Sequence, residues 1–204
     1  MSTKGAHRMN RTPRSPILAA ALALTLAGCV SFGAEPPDQL LTLTPASTAP
    51  AGATATGQAS TALAVIEPTT TMRLNVTRIP VQTSDSSLAY LRDAVWVEKP
   101  SRLFQHLLAE TVRARGGRLV VNQGDLGYSA VTQLSGHLLD MGYDAASGSA
   151  VVRYDAALQT PDGTVRTRRF ESRVPGVAPE AGAVGAALNR AANQVAAEVA
   201  EWVG

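Results

Sequence analysis

Apolar residues along this chain follow two patterns, one typical of β-strands and one typical of α-helices. In the strand pattern they form short apolar runs or alternate with polar residues. Short runs at residues 62–66, 74–80, 88–97 and 118–122 predict strands, and a weak alternation at 39–44 predicts another near the N-terminus. Residues 131–143, 149–159 and 164–174 predict three longer strands. The turn-forming sequences between them, 144–148 and 160–163, join them as antiparallel neighbours.

Apolar residues at three- and four-residue spacing predict two helices. The first begins at Pro100, ends at Gly116 and Gly117, and buries Leu103, Phe104, Leu107, Leu108, Thr111 and Val112. The second covers residues 179–202, and one stripe of it carries Val184, Leu188, Ala191, Val195, Val199 and Trp202. The order of elements predicts a single α+β domain, with a mixed, largely antiparallel sheet and both helices packed on one face.

The residues before this domain differ from it in composition. Residues 46–62 are almost entirely Ala, Ser, Thr, Gly and Pro, which favours a flexible linker. We therefore divide the chain into an N-terminal signal at 1–28, a short segment and linker at 29–61, and the α+β domain at 62–204.

The first 28 residues have the order of a secretion signal. Lys4, Arg8, Arg11 and Arg14 precede an apolar run at residues 17–26, which is too short for a permanent membrane span. The run ends in Leu26, Ala27, Gly28 and Cys29, which resemble the lipobox of bacterial lipoproteins. The resemblance implies cleavage before Cys29 and addition of diacylglycerol to its thiol and an acyl chain to its amino group. The alternative is an ordinary secretory signal followed by an unmodified cysteine.

The acyl chains would tether the mature protein to a membrane. Several chains give a stable anchor, whereas one binds only marginally. Val30 stands where enteric lipoproteins kept in the inner membrane have Asp, so we expect the periplasmic face of the outer membrane. No cofactor other than these covalent lipids is expected.

The charge of the mature chain gives no reason to expect a nucleic-acid partner. The first 28 residues hold four of the 18 basic residues and no acidic residue, which leaves 14 basic and 16 acidic residues, a formal charge of −2. If its only cysteine is lipidated, the mature domain contains no disulfide.

The sequence contains no recognisable catalytic or metal-binding motif. His106 and His137 lie on different predicted elements, and the acidic residues lie at turns or on a helix surface (Asp140, Asp144, Asp162, Glu198 and Glu201). We predict neither a metal site nor an enzyme.

Four arginines lie on the last predicted strand: Arg166, Arg168, Arg169 and Arg173. They are candidates for contact with anionic lipid headgroups or an acidic partner. The alternative is a charged edge strand that resists aggregation. Alternation places Arg166 and Arg168 on one face, and Arg169 and Arg173 on the other.

Residues 62–121 resemble the ABC-type transport auxiliary lipoproteins, a family that includes paraquat-inducible protein C. The resemblance rests on Leu63-Ala-Val-Ile66, on Leu74-Asn-Val-Thr-Arg-Ile-Pro80, and on Leu88-Ala-Tyr-Leu followed by Trp96-Val-Glu-Lys-Pro100-Ser-Arg-Leu103. A Trp shortly before a Pro that begins a Leu-rich helix is its most distinctive part. Arg78 and Trp96 are candidate partner contacts, with core and strand-end roles as the alternative.

The resemblance implies a non-enzymatic periplasmic component of a lipid transport system. Its partners would be an ABC permease, an ATPase and a substrate-binding protein of the mammalian-cell-entry type. One alternative is a structural or assembly lipoprotein that binds peptidoglycan, lipopolysaccharide machinery or a secretion complex. Another is a carrier that itself holds a lipid, which would need a large apolar cavity. The oligomeric state is left open.

Overall fold

A computed structural model describes residues 39–58, 61–122 and 132–204 of the chain. The predicted signal sequence and lipobox lie outside the described residues. Those described belong to one compact unit, Pro37–Gly204.

The described residues form eight strands and two long helices. The strands are β1 (Leu63–Val65), β2 (Thr69–Thr70), β3 (Arg78–Ser84), β4 (Ser87–Val95), β5 (Val120–Asn122), β6 (Thr132–Asp144), β7 (Ser149–Gln159) and β8 (Val165–Val174). The helices are α1 (Pro100–Arg115) and α2 (Ala181–Val203), and a 3-10 turn covers Met72–Leu74.

Strand β6 organises the sheet because it pairs along both of its edges. One edge pairs with the whole of β7 in antiparallel register, and β7 pairs in turn with β8. The other edge pairs in parallel with three short strands, β1, β2 and β3, placed one after another along it. Strand β5 continues the sheet beyond β1, and β4 continues it beyond β3. The long pairings are therefore antiparallel and the short ones parallel, as predicted for a mixed sheet.

Both helices pack on the same face of this sheet. Leu107 and Leu108 of α1 share one apolar core with Val195 and Val199 of α2 and with the inward side chains of the sheet. The ring of Phe104 on α1 meets Tyr154 of β7 edge to face, with centroids 5.2 Å apart. Buried alanines of α2 contribute little bulk, so the helix backbone approaches the sheet closely. The α+β domain with two helices is confirmed.

Helix α1 begins and ends where the sequence predicts. Pro100 is in the first turn, where its missing N–H costs no hydrogen bond. Gly116 ends the helix with φ of 76°, a left-handed conformation that glycine adopts without steric cost. The predicted buried stripe is correct except that Thr111 is only half-buried.

The segment predicted as a strand from Leu74 to Pro80 folds differently. Leu74 belongs to the 3-10 turn, and the strand begins only at Arg78 and continues beyond Pro80 to Ser84. Proline lacks a backbone N–H and usually ends or interrupts a sheet strand. Here the register of β3 against β4 is irregular between Arg78 and Pro80, which accommodates the proline.

Residues 39–49 lie across the domain as an N-terminal strap. Leu41 forms a parallel bridge with Trp96, so the predicted first strand is reduced to one paired residue. Leu43 is buried in the main core. The side chains of Asn189 and Asn193 on α2 accept hydrogen bonds from the amides of Thr44 and Ala46, and Glu110 on α1 accepts one from Ala49.

Candidate functional site

The outer face of β6, β7 and β8 carries a network of ion pairs. Arg169 donates from Nε and Nη2 to both carboxylate oxygens of Asp155, at 2.6 and 2.7 Å. Arg153 donates to Glu171, also at 2.6 Å. Arg173 contacts Asp144 at 3.1 Å and Glu171 at 3.3 Å. Arg169 and Arg173 are therefore largely neutralised by carboxylates of the same sheet.

These contacts change the proton affinity of the carboxylates. The hydrogen bond from Arg169 lowers the pKa of Asp155, and that from Arg153 lowers the pKa of Glu171. The hydroxyl of Ser147, with help from Arg173, lowers the pKa of Asp144. A lowered pKa means that all three carboxylates keep the negative charge that attracts the arginines.

Arg166 and Arg168 lie on the helix side of β8. The guanidinium of Arg166 lies over the ring of Trp202, 5.3 Å from its centroid, and that of Arg168 lies 4.8 Å from the centroid of Phe170. Neither forms an ion pair with the carboxylates of the described part of the chain. The four arginines thus divide between two faces, and only Arg166 and Arg168 keep exposed, unneutralised charge for an anionic contact.

Trp96 and Arg78, the two candidate partner contacts, lie in different environments. Trp96 is 1% exposed and packs in the main core, so its ring cannot reach a partner. Its Nε1 has no hydrogen-bond partner among the residues described. Arg78 is exposed, with its guanidinium 4.4 Å from the centroid of the Tyr90 ring. The structure therefore assigns Trp96 to the core, the alternative that the sequence left open, and leaves Arg78 accessible.

The two histidines of the described residues, His106 and His137, lie on different elements. His106 is exposed on α1, and Nδ1 of His137 on β6 is hydrogen-bonded to the hydroxyl of Thr69. Within residues 39–58, 61–122 and 132–204, no group of three or more His, Cys, Asp or Glu side chains could hold a metal ion.

Asp140 differs from the carboxylates described above because its pKa is raised. Burial raises its pKa, although Arg73, whose Nη2 lies 3.4 Å away, opposes this effect. Arg73 also donates to the carbonyl of Leu139 and to Gln82. The cleft beside Asp140 measures about 20 Å³, too small for a substrate. We interpret the contacts of Arg73 with Asp140 and Leu139 as a structural link between the 3-10 turn and β6.

Larger clefts lie on the surface of the described residues. One of about 450 Å³ lies between residues 49–56 and the C-terminal end of α1, near Arg113 and Arg118. Both arginines have partners, since Arg113 pairs with Glu110 at 2.6 Å and Arg118 donates to the carbonyl of Val203. Another, of about 550 Å³, lies over His137, Asp155 and Arg169 on the outer face of the sheet.

The sequence did not indicate an apolar surface at the end of the sheet near Arg78. Leu40, Val76 and Val97 come from three separate segments, and their side chains are 54%, 37% and 50% exposed. Only Val97 lies next to a buried residue, Trp96, whereas Leu40 and Val76 precede the half-buried Leu41 and Thr77. Their adjacency depends on the strap, which the sequence did not predict.

The described residues include no helix that is both long and apolar enough to cross a membrane.

The fold recurs in solved structures of low sequence identity. Protein XCC0632 from Xanthomonas campestris superposes with a TM-score of 0.68 at 20% identity, over 81% of this chain and 94% of that one. An uncharacterized protein superposes with a TM-score of 0.64 at 14% identity, over 81% of this chain and all of that one. A search of curated proteins finds no match. At these identities the structural likeness establishes the fold alone.

The sequence family supplies the functional class. The family model of the ABC-type transport auxiliary lipoprotein component matches residues 41–200, which include most of the strap, the whole sheet and nearly all of α2. The chain belongs to this family, and the resemblance of residues 62–121 is confirmed. Membership associates the chain with an ABC transport system as an auxiliary lipoprotein.

Proposed function

We propose that this protein is a non-enzymatic, lipid-anchored periplasmic component of a lipid transport system of the mammalian-cell-entry type. In this role it docks the transport complex at the periplasmic face of the outer membrane. The observation that carries the proposal is the family match over residues 41–200, which follows the lipobox residues Leu26–Cys29 in the same chain.

A docking role agrees with the physical problem of lipid transport. Phospholipid does not cross an aqueous compartment unaided, because its acyl chains would have to enter water. A conduit between two membranes therefore has to be held at its far end. A folded domain covalently joined to acyl chains can hold it, because more than one chain makes membrane binding stable.

The packing of the domain supports docking over carriage of a lipid within it. The space between the helices and the sheet is filled by large side chains, including Phe104, Tyr154 and Phe170, each 2% exposed or less. A bound acyl chain would have to displace them, which close-packed interiors resist.

The anchor is tested by replacing its cysteine. We expect Cys29→Ala to abolish incorporation of labelled palmitate and to move the protein from the membrane to the soluble fraction. Ala27→Ser, which keeps a small side chain before the cleavage point, is the control and should retain label. Continued labelling of the Cys29→Ala chain would contradict the anchor.

The transport role is tested by identifying what the protein binds in cells. Crosslinking followed by affinity purification of the full chain should recover a protein of the mammalian-cell-entry type, together with its permease and ATPase. Recovery of peptidoglycan, lipopolysaccharide or secretion components instead would favour an envelope-assembly lipoprotein and count against transport.

A further inference from the structure

Three extended segments lie side by side where the strap enters the domain. The amide of Leu41 donates to the carbonyl of Val95 and the amide of Val97 donates to that of Leu41, both at 2.8 Å. On the other side, the amide of Trp96 donates to the carbonyl of Thr77 at 2.7 Å. The strap therefore extends the end of the sheet by one short extended segment beside the end of β4, and the start of β3 lies on the other side of β4.

Side chains alternate between the two faces of these segments. Trp96 and Ile79 point to the core, and Leu41 packs against it. The intervening residues Leu40, Val76 and Val97 point outward, and each is between 37% and 54% exposed. Three exposed aliphatic side chains on neighbouring segments form an apolar surface that no other described element covers.

Cationic side chains border this surface. Arg78 is paired across the sheet with Val95, and the exposed Lys99 donates from Nζ to Asn75 at 2.9 Å. Within the described ranges, neither forms an ion pair with a carboxylate. The nearby Glu98 faces Arg102, with its Oε2 3.5 Å from the Arg102 Nε. We call Leu40, Val76, Val97, Arg78 and Lys99 together the strand-end patch.

The strand-end patch is also close in sequence to the proposed anchor. Leu40 follows Cys29 by eleven residues, a length of chain that spans at most about 40 Å when fully extended. Because the strap is bound to the domain from Leu41 onward, residues 46–62 do not lengthen the connection between Cys29 and the domain. The end of the sheet that carries the patch is thus where the acylated chain joins the domain.

We propose that the strand-end patch makes a second, non-covalent contact with the membrane that holds the anchor. Leu40, Val76 and Val97 enter the boundary between headgroups and acyl chains, and Arg78 and Lys99 contact lipid phosphates. The partner is an anionic phospholipid surface, favoured over a protein by the chain's continuity with the anchor. The proposal rests on the proposed function for the anchor and adds an orientation of the domain.

The test uses the complete, acylated chain in vesicles of phosphatidylethanolamine and phosphatidylglycerol. Val97→Cys receives an environment-sensitive thiol dye, while acylation blocks Cys29, the only native cysteine. The matched control is Val165→Cys, which replaces an equally aliphatic residue, 57% exposed, on the edge strand β8. Strand β8 lies on the opposite side of β6 from β4.

We expect the dye at position 97 to shift to the blue and to be quenched several-fold more by spin-labelled lipid than the dye at position 165. Arg78→Gln combined with Lys99→Gln should reduce the quenching, as should vesicles of phosphatidylcholine alone. Equal quenching at both positions in chains that float with the vesicles would overturn the proposal. A blue shift that spin-labelled lipid does not quench would overturn it in favour of a protein partner.

The same experiment separates failure of the patch from failure of the anchor. If the native chain reacted with the dye at Cys29 and did not float with vesicles, the proposed anchor would fail, and the membrane contact would fail with it. A blocked Cys29 in a floating chain, without contrast between positions 97 and 165, refutes the patch alone.

Discussion

Gly136, in the middle of β6, is a residue at which the fold tolerates no side chain. Its φ is 154°, and a Cβ there would lie 2.1 Å from the carbonyl oxygen of Asp155 and 2.8 Å from the ring of Tyr154. The Tyr154 hydroxyl donates to the neighbouring carbonyl of Ser135 at 2.7 Å. Glycine thus allows the tyrosine ring to lie against the strand backbone.

Gly136→Ala should therefore destabilise the domain. We expect a loss of about 2–4 kcal/mol in the free energy of unfolding, because backbone atoms, unlike a flexible side chain, cannot move aside. Gly182→Ala on α2 is the control, since a Cβ at that position would meet no neighbouring atom within 4 Å; it should stabilise by about 0.5–1 kcal/mol. Urea unfolding of the three chains measures both, and equal stability of the Gly136→Ala and native chains would contradict the steric argument.

The pair Arg169–Asp155 should make stability depend on pH. The pKa of Asp155 is lowered in the folded state by Arg169, so its contribution is present above the ordinary aspartate pKa. That contribution is lost as the pH falls through the lowered value. Because Arg169 is 62% exposed, we expect Asp155→Asn to cost no more than about 1 kcal/mol at pH 7.

The measurement is urea unfolding of the native and Asp155→Asn chains at pH 7 and at pH 2–3. The difference between them should shrink at the acid end, where the native carboxylate is also becoming protonated. Asp85→Asn, in the turn between β3 and β4, is the control for loss of a surface carboxylate and should change stability little at pH 7. A difference that grew on acidification would refute the assigned ion pair.

At the scale of elements, prediction succeeded where the signal is local. The helix from Pro100 to Gly116 has its start, apolar stripe and stop within one stretch of sequence. The hairpins of β6, β7 and β8 are likewise defined by alternation and by turns such as Asp144–Gly148. The face on which each arginine of β8 lies follows from alternation alone, whereas its carboxylate partner depends on register with β7 and could not be read from β8 itself.

The N-terminal strap shows why other elements could not be predicted. Its polar backbone is bound by side chains more than 140 residues later in the chain, as when Asn193 donates to the carbonyl of Thr44 and accepts from the amide of Ala46. A segment rich in Ala, Thr and Pro carries no local sign of such partners. The strand-end patch was missed for the same reason, since it exists only when the strap lies beside β4.

Asn193→Ala tests the attachment of the strap. Removing these hydrogen bonds should increase the hydrogen exchange of the Ala46 amide several-fold while the amides of α2 stay protected. Arg190→Ala, an exposed substitution on the same helix, is the control and should leave Ala46 unchanged. Equal exchange at Ala46 in both variants would mean that the hydrogen bonds of Asn193 do not hold the strap in place.

For the molecule as a whole, the strap changes which residues form the tether. The sequence favoured residues 46–62 as the flexible connection between anchor and domain, but the domain is already engaged at Leu41. Only the residues between Cys29 and Leu40 are then available to set its distance from a membrane.

Insertions at two positions distinguish these tethers. In vesicles of phosphatidylcholine alone, which lack the anionic lipid that the strand-end patch would bind, ten Gly and Ser residues inserted between Ala34 and Glu35 should lower energy transfer from a dye on Val165→Cys to an acceptor in the membrane. The reason is that the length of chain between the anchor and the domain increases. The same insertion between Thr54 and Ala55 should leave the transfer unchanged. A decrease for both insertions would show that the strap detaches in the membrane-bound protein.

The position of β6 also has a consequence for how the chain is made. Strands β1, β2 and β3, from Leu63 to Ser84, pair with β6, whose residues 132–144 are synthesised much later. Their edges lack this partner while the N-terminal half emerges, whereas β6, β7 and β8 need only near neighbours in sequence. Strands β1, β2 and β3 therefore complete their pairing only after β6 has been synthesised. A chaperone that shields exposed strand edges would act on the first half of the nascent protein.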